Sequence, residues 1–277
     1  MYEPVTTSSI DRLEQLEQYY DSVPRRGGAR AEDFGPLTLF VQEGSGWPYY
    51  ARPTPGTAAT VTSADVERVL ARQRALGIPE AFEWVDETTP TLRAAAEASG
   101  LTVHAHPLMI LDPEVAPARP HPAVRMLDPG DPFLHAALTV PQLAFAAPGT
   151  ATGPVGTAEL ATRMTEDLGN GRTTYVSARL AAGSTAVAAY IEDGTVLSSG
   201  QHQPVGRVCE IVGIGTLPAA RRRGLALAVT SALVSDARAR GMETVFLSAG
   251  DEDVARIYAR AGFRRVGTAL IAEPAAP

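Results

Sequence analysis

The sequence predicts an α/β protein built from two tandem domains, each a mixed sheet with a central parallel strand pair flanked by helices. Three observations predict it: the length, a proline-rich seam near the middle, and strand–helix–strand alternation on both sides of that seam. The chain has 277 residues, beyond the usual size of one domain. Apolar residues at 45% and charged residues at 20% suffice for a sizeable core. The seam is DPEVAPARPHPA, residues 112–123. Proline there can neither extend a helix nor fill a central strand position, so the stretch reads as a semi-rigid linker. It separates residues 1–111 from residues 124–277, each of ordinary domain size.

In the first part, LTLFVQEG (37–44) and YYARPTP (49–55) read as strands. SADVERVLARQRALG (63–77) reads as a helix capped by Ser63, AFEWVD (81–86) as a strand, TPTLRAAAEASG (89–100) as a helix and LTVHAHPLMIL (101–111) as a strand. Trp47, Tyr49 and Tyr50 are assigned to that domain's core. In the second part, TTYVSARL (173–180) and STAVAAYIEDGT (184–195) resemble a strand pair joined by AAG. VCEIVGIGTL (208–217) is a long β-branched strand, and Pro218 through about Arg240 a helix closed by Gly241. ETVFLSA, DEDVARIYARA and FRRVGTALI follow as strand, helix and strand, with Gly262 ending the helix. Strand–helix–strand spacing of this kind puts parallel neighbours at the centre of a sheet.

Composition excludes several chemistries. The net charge is −7, which argues against nucleic acid as a partner, because counterion release needs a basic face. All 24 basic residues are arginine, so there is neither a P-loop lysine nor a Schiff-base lysine. The single cysteine, Cys209, excludes an internal disulfide and a cysteine-rich zinc site. His104 and His106 lie two apart on a strand with no third ligand in sight, so no metal is expected. The N-terminus carries acids and lacks an apolar core of the signal-peptide kind, and no run reaches a membrane span. The expectation is a soluble, cytoplasmic protein with no membrane partner.

One local cluster runs against the acidic background. Arg221, Arg222 and Arg223 precede Gly224, between an apolar strand and an apolar helix. A helix N-terminus already offers unpaired N–H groups and a positive dipole end. Three cations there are unfavourable unless an anion joins them, and a pyrophosphate fits both the arginines and the amides. Gly224 and Ala226 keep the surface low enough for backbone to approach phosphate.

The segment resembles the Q/R-x-x-G-x-G/A motif of the GCN5-related N-acetyltransferases, with Arg221, Gly224 and Ala226 in the fixed positions. That resemblance implies two GNAT-like domains, the first a degenerate copy without the arginine–glycine loop, and acetyl-CoA or another acyl-CoA as co-substrate. It implies that Ile214, Gly215 and Thr216 offer main-chain groups to the pantetheine arm and acyl carbonyl. Arg222, Arg223, Gly224, Leu225, Ala226 and Leu227 would wrap the pyrophosphate. Gly213 and Gly215 suit the strand bulge that admits the cofactor. DEDVARIYARAGF resembles the family's second motif, with Tyr258 placed to protonate the leaving thiolate and Gly262-Phe263 closing it. Asp251 stands where the family often has asparagine, so it is either a cofactor contact or simply a helix N-cap.

Transfer to an amine needs a base, and Glu210 lies where histone-acetylating relatives place theirs. Strict alternation would set Glu210, Val212 and Ile214 on one face. His202 and Asp193 are weaker candidates, and Cys209 reads as a buried apolar side chain. The expected function is an N-acyltransferase acting on an amine of a small molecule or peptide by direct attack. Two alternatives are an aminoacyl-tRNA-dependent transferase of related fold and a non-catalytic acyl-CoA binder. Residues 142–160, QLAFAAPGTATGPVGTAEL, are the expected region of acceptor selection.

Overall fold

The computed structural model describes residues 7–43, 48–57, 60–116, 121–169 and 171–275; Trp47 and residues 117–120 of the predicted linker lie outside them. The chain divides into two compact units, Met1–Leu108 with Val266–Pro277, and Met109–Arg265. This differs from the division at the proline-rich seam. The C-terminal residues belong to the first unit, because the chain's last strand, Phe263–Pro274, pairs antiparallel with Phe82–Val85 there.

Unit 1 opens with α1 (Thr7–Arg26), a helix the sequence reading did not assign. Leu13, Leu16 and Tyr20 recur at helical spacing and are buried. Then follow β1 (Arg30–Asp33), β2 (Leu37–Val41), β3 (Arg52–Pro53), α2 (Ser63–Leu76), β4 (Phe82–Val85), α3 (Thr91–Ala98) and β5 (Leu101–Leu111). The strands β1, β2 and β3 form an antiparallel sheet. The predicted strand 49–55 shrinks to β3, since Pro53 and Pro55 have no N–H to give a ladder. Ala51 and Phe82 make a parallel bridge between the starts of β3 and β4. The core gathers Leu37, Leu39, Val66, Leu70, Phe82 and Trp84.

The cap of α2 is Thr62 rather than Ser63. Thr62 keeps an extended backbone and its hydroxyl accepts from the Asp65 N–H, while the Asp65 carboxylate accepts from the Thr62 N–H at 2.9 Å. This reciprocal box satisfies two orphan donors and brings a negative charge to the dipole's positive end. Nearby, buried Arg52 pairs with Glu83 and lies 3.6 Å from Glu17, with the Tyr20 ring 4.1 Å from its guanidinium. Glu17 accepts from the Val85 N–H at 2.9 Å, and burial pushes its carboxyl above the usual range despite Arg52.

Unit 2 comprises β6 (Val124–Met126), α4 (Leu134–Phe145), α5 (Thr157–Glu166), α6 (Arg172–Ala181), β7 (Ala186–Glu192), β8 (Thr195–Val205), β9 (Val208–Thr216), a single 3-10 turn at Pro218–Ala220, α7 (Leu225–Ala239), β10 (Thr244–Ser248), α8 (Glu252–Ala259) and the start of β11 (Phe263–Pro274). The strands run in the order β6-β7-β8-β9-β10. Only β9 and β10 are parallel in that set; the other neighbours are antiparallel. Val187, Ile211, Leu217, Val229, Leu233 and Leu247 are among its buried core.

Two expectations fail here. Thr173–Leu180, read as a strand, is helix α6; its threonines, tyrosine and valine favour strands intrinsically, but only Val176 is buried. The actual hairpin is β7–β8, turning through Asp193 (φ 48°) and Gly194 (φ 73°). Positive φ at both central residues is what a tight hairpin of this hand demands. The continuous helix expected from Pro218 is broken, with Arg222 at φ 63° and Gly224 at φ 80° between the 3-10 turn and α7. The order of elements nevertheless recurs: β1-β2-β3-α2-β4-α3-β5 in unit 1 and β7-β8-β9-α7-β10-α8-β11 after it.

In unit 1, Glu32 joins β1 to α2 through Arg72 at 2.8 Å, and Arg72 with Arg30 holds its carboxyl down at about 2. A depressed carboxyl stabilises the fold above its ordinary value of 4.5 and loses that contribution as pH falls toward 2. Thermal melts of the chain and of Glu32→Gln should therefore differ at neutral pH and converge between those two values. A gap that persists at the acid end would assign the effect to packing instead.

Candidate active site

The parallel pairing of β9 with β10 spans only Val208–Glu210 against Thr244–Phe246. Beyond Glu210, β9 runs on to Thr216 with no strand paired to that side among the described residues, which leaves an unpaired edge. An extended ligand with amide groups can be read by such an edge as another strand would be.

On its other side β9 pairs with β8, and the register slips between Ser199↔Gly215 and Gln201↔Val212. One extra residue sits on β9, with Gly213 in the left-handed region at φ 63°. This is a β-bulge, as expected from the glycines. The bulge reverses the phase of the strand. Ser199 donates to the Ala137 carbonyl of α4 at 2.6 Å, and Gly215 lies under Pro141 of the same helix. His202, paired with Ile211, reaches Asp236 of α7 at 2.6 Å. Ile214 lies over Gly200 on the side of Leu233 of α7. Glu210 and Val212 therefore face α4, and Ile214 faces α7. The expectation that all three share a face is corrected, because it assumed unbroken alternation.

Gly215 is required for space. A Cβ there would stand 2.6 Å from Pro141 Cα and 3.1 Å from Ala144 Cβ. Buried Ser198 donates to the Gly215 carbonyl at 2.8 Å and bonds the Thr216 hydroxyl at 2.9 Å, fixing the end of β9.

At the α7 end, Gly224 is the N-cap and no side chain caps the first turn. The first helical bond at that end runs from the Ala228 N–H to the Gly224 carbonyl. The N–H groups of Leu225, Ala226 and Leu227 precede it and point outward, beside the positive end of the dipole. The three arginines have separate fates. Arg222 is exposed and has no carboxylate partner among the described residues. Arg223 pairs with Glu192, its Nη2 donating to both carboxylate oxygens at 2.7 and 2.8 Å. Arg221 turns away to three carbonyls, Ala144 at 2.8 Å, Ala147 at 2.6 Å and Ala151 at 3.2 Å, and burial lowers its pKa.

Asp251 caps α8, accepting from the Val254 N–H at 2.8 Å. Glu252 and Asp253 complete an acidic first turn that suits the dipole. Tyr258 sits in the unit's core with its ring edge-on to Phe263, centroids 6.2 Å apart. Its hydroxyl has no hydrogen-bond partner among the described residues, and burial raises its pKa. Glu210 is half-buried opposite Gln203. The two weaker candidates for the base are otherwise engaged. His202 is fully buried on the α7 face, and Asp193 sits in the β7–β8 turn. Burial would raise Asp236, but its bond to His202 and the charge of Arg240 hold it below the usual range. Cys209 is buried in the core, and burial pushes its thiol up to about 12. The role of Arg221 was missed from the sequence, because nothing in the string of alanines it holds marks their carbonyls as acceptors.

Residues 154–263 match the model of the acetyltransferase (GNAT) family. This stretch is a GNAT domain. The fold likeness extends over both units. A GCN5-related N-acetyltransferase from Kribbella flavida is similar at a TM-score of 0.70 and 18% identity, covering 96% of each chain. A putative GNAT acetyltransferase from Novosphingobium aromaticivorans gives 0.54 at 20% identity, over 91% of this chain and 94% of that one. A GCN5-related N-acetyltransferase from Sphaerobacter thermophilus gives 0.55 at 16% identity, over 98% and 93%. No curated protein matches the chain in sequence.

Gly215→Ala tests the contact that seats α4 on β9. Overpacking against a helix backbone should cost about 2 kcal/mol or more in denaturant unfolding. A neutral result would mean that α4 is free to lift from β9.

Proposed function

We propose that unit 2 is an acyl-CoA-dependent N-acyltransferase, with acetyl-CoA as donor and an amine of a small molecule or peptide as acceptor. The observation that carries it is the contrast between two helix ends in equivalent positions. The N-terminus of α2 is closed by Thr62 and Asp65, a ready-made negative charge. That of α7 has a left-handed glycine, no side-chain cap and an exposed arginine beside it. An anion completes the second and is repelled from the first.

In this reading the amides at the start of α7, with Arg222, hold the pyrophosphate. The open edge of β9 from Val212 to Thr216 reads the pantetheine arm, and the bulge at Gly213 frees backbone donors for the thioester oxygen. The amine attacks the thioester carbonyl carbon, and a C–N bond forms. The tetrahedral intermediate collapses with loss of the C–S bond and the electron pair leaves on sulfur. Glu210, directly or through water, takes the proton that the amine nitrogen must lose as the amide forms, and Tyr258 protonates the departing thiolate. Burial keeps that phenol protonated throughout the physiological range. The same burial makes it a weaker acid than a free phenol, so its use depends on a thiolate arriving close by. Arg223 joins the anion only by leaving Glu192, and Asp251 keeps its capping role.

Unit 1 is a degenerate copy that binds no second cofactor. Besides the closed α2 terminus, Glu17 of α1 takes the Val85 N–H of β4, and Arg52 and Glu83 stand beside it.

Titration calorimetry with acetyl-CoA tests these assignments. The chain should bind one equivalent, and Arg222→Ala should weaken binding by about tenfold, the worth of one charge-assisted contact. Tyr258→Phe should leave affinity nearly unchanged. It should slow turnover on a panel of primary amines by about a hundredfold or more. Binding without turnover by the unmodified chain would favour an acyl-CoA sensor, and two equivalents would return cofactor binding to unit 1.

A further inference from the structure

The motif arginine faces away from the anion site. The segment between α4 and α5 has no apolar anchor: no residue from Phe145 to Glu159 is buried. Its position depends on polar bonds to the stretch that follows β9. Arg221 binds the carbonyls of Ala144, Ala147 and Ala151, spanning the end of α4 and the first half of the segment. The Gly153 N–H donates to the Pro218 carbonyl at 3.2 Å, and the Ala219 N–H donates to the Val155 carbonyl at 2.9 Å. Gly153 and Gly156 let the two strips approach, since a Cβ at either would stand 3.3 Å from the side chain of Pro218 or Ala219. The 3-10 turn that carries these bonds leads directly into Arg222 and Gly224.

We propose that Arg221 is a positioning residue: it straps residues 146–156 to the phosphate-binding turn, so that anion binding and the order of this segment are coupled. A planar guanidinium is suited to this, since its five N–H donors can serve three carbonyls at once. Each carbonyl would otherwise be left at the end of α4 or in a loop with few partners. Ordering the turn around an anion fixes Arg221, and a fixed Arg221 holds the segment. The cofactor-dependent half of this inference rests on the acyl-CoA reading; the strap itself does not.

Hydrogen exchange read by mass spectrometry separates the two. In the free protein, Arg221→Gln should speed exchange of the amides in residues 146–156 by about tenfold, a local opening, with slow core exchange retained. Arg222→Gln should leave that segment as it is. With saturating coenzyme A, the unmodified chain should show further slowing in 146–156. Arg221→Gln should bind coenzyme A within about threefold of the unmodified affinity, yet show no such slowing. Arg221→Lys, whose single ammonium cannot span three carbonyls, should fall between, and it carries the test if the glutamine variant fails to fold. Unchanged exchange in free Arg221→Gln would overturn the strap. A loss of coenzyme A affinity as large as that of Arg222→Gln would make Arg221 an anion ligand instead. If the unmodified chain bound no coenzyme A, the acyl-CoA reading would fail, and the free-protein comparison would still decide the strap.

Discussion

Everything in unit 2 that points to an anion depends on a helix that begins without a cap. A serine, threonine or aspartate is the preferred partner of a helix's first amides, and α2 and α8 use Thr62 and Asp251, whereas α7, like α4 and α6, has no side-chain cap. The α7 helix begins after two left-handed residues, Arg222 and Gly224. That turn aims the chain so that its first amides open outward instead of meeting a side chain. A left-handed arginine costs about 1 kcal/mol relative to a relaxed backbone. Such strain persists when surrounding structure holds it, and here the 3-10 turn and the Arg221 bonds hold the turn.

The bulge at Gly213 is the second constraint, and it works on the same edge. One inserted residue turns Ile214 toward α7 and lets Gly215 slide beneath Pro141. The side chains before the bulge, Glu210 and Val212, remain on the α4 face. A ligand lying along the open edge thus meets a carboxylate before the bulge and bare backbone at it. In unit 1 the corresponding strands carry charges instead, buried Arg52 and half-buried Glu83, with Glu17 supplied by α1. Arg52 pairs with Glu83 and Glu17 takes the Val85 amide, which fills that part of unit 1 with internal polar contacts.

Sequence reading placed strands, turns and helix ends wherever local pattern determines geometry. The arginine–glycine turn, the bulge glycines, the Gly262 end of α8 and the parallel pair β9–β10 follow from residue types and spacing alone. It failed where tertiary packing decides. Thr173–Leu180 carries strand-forming residues yet is helical, and α1 looked like an unassigned acidic start until its buried stripe of Leu13, Leu16 and Tyr20 found a core. The continuous helix drawn from Pro218 failed for a different reason. Positive φ at a non-glycine residue such as Arg222 leaves no mark in composition. The shared face assigned to Glu210, Val212 and Ile214 failed because alternation holds only until a bulge, and a glycine signals a bulge without saying which side gains the residue.

The three adjacent arginines illustrate how far a charge cluster underdetermines its use. As a string they are equivalent, and the anion reading drew on all of them. In the fold, one is spent on backbone carbonyls, one on a carboxylate, and one is left exposed in a strained turn. Burial separates them: Arg221 gives up water for three carbonyl oxygens, an exchange a guanidinium can make without losing its proton. The exposed pair of Arg223 with Glu192 contributes little to stability and can be exchanged for a phosphate at small cost. Only Arg222 meets an arriving anion with no prior partner among the described residues. On the proposed acyl-CoA reading the cluster is a graded device, in which the most buried member builds the loop, the exposed member meets the ligand, and the paired member stands between the two roles.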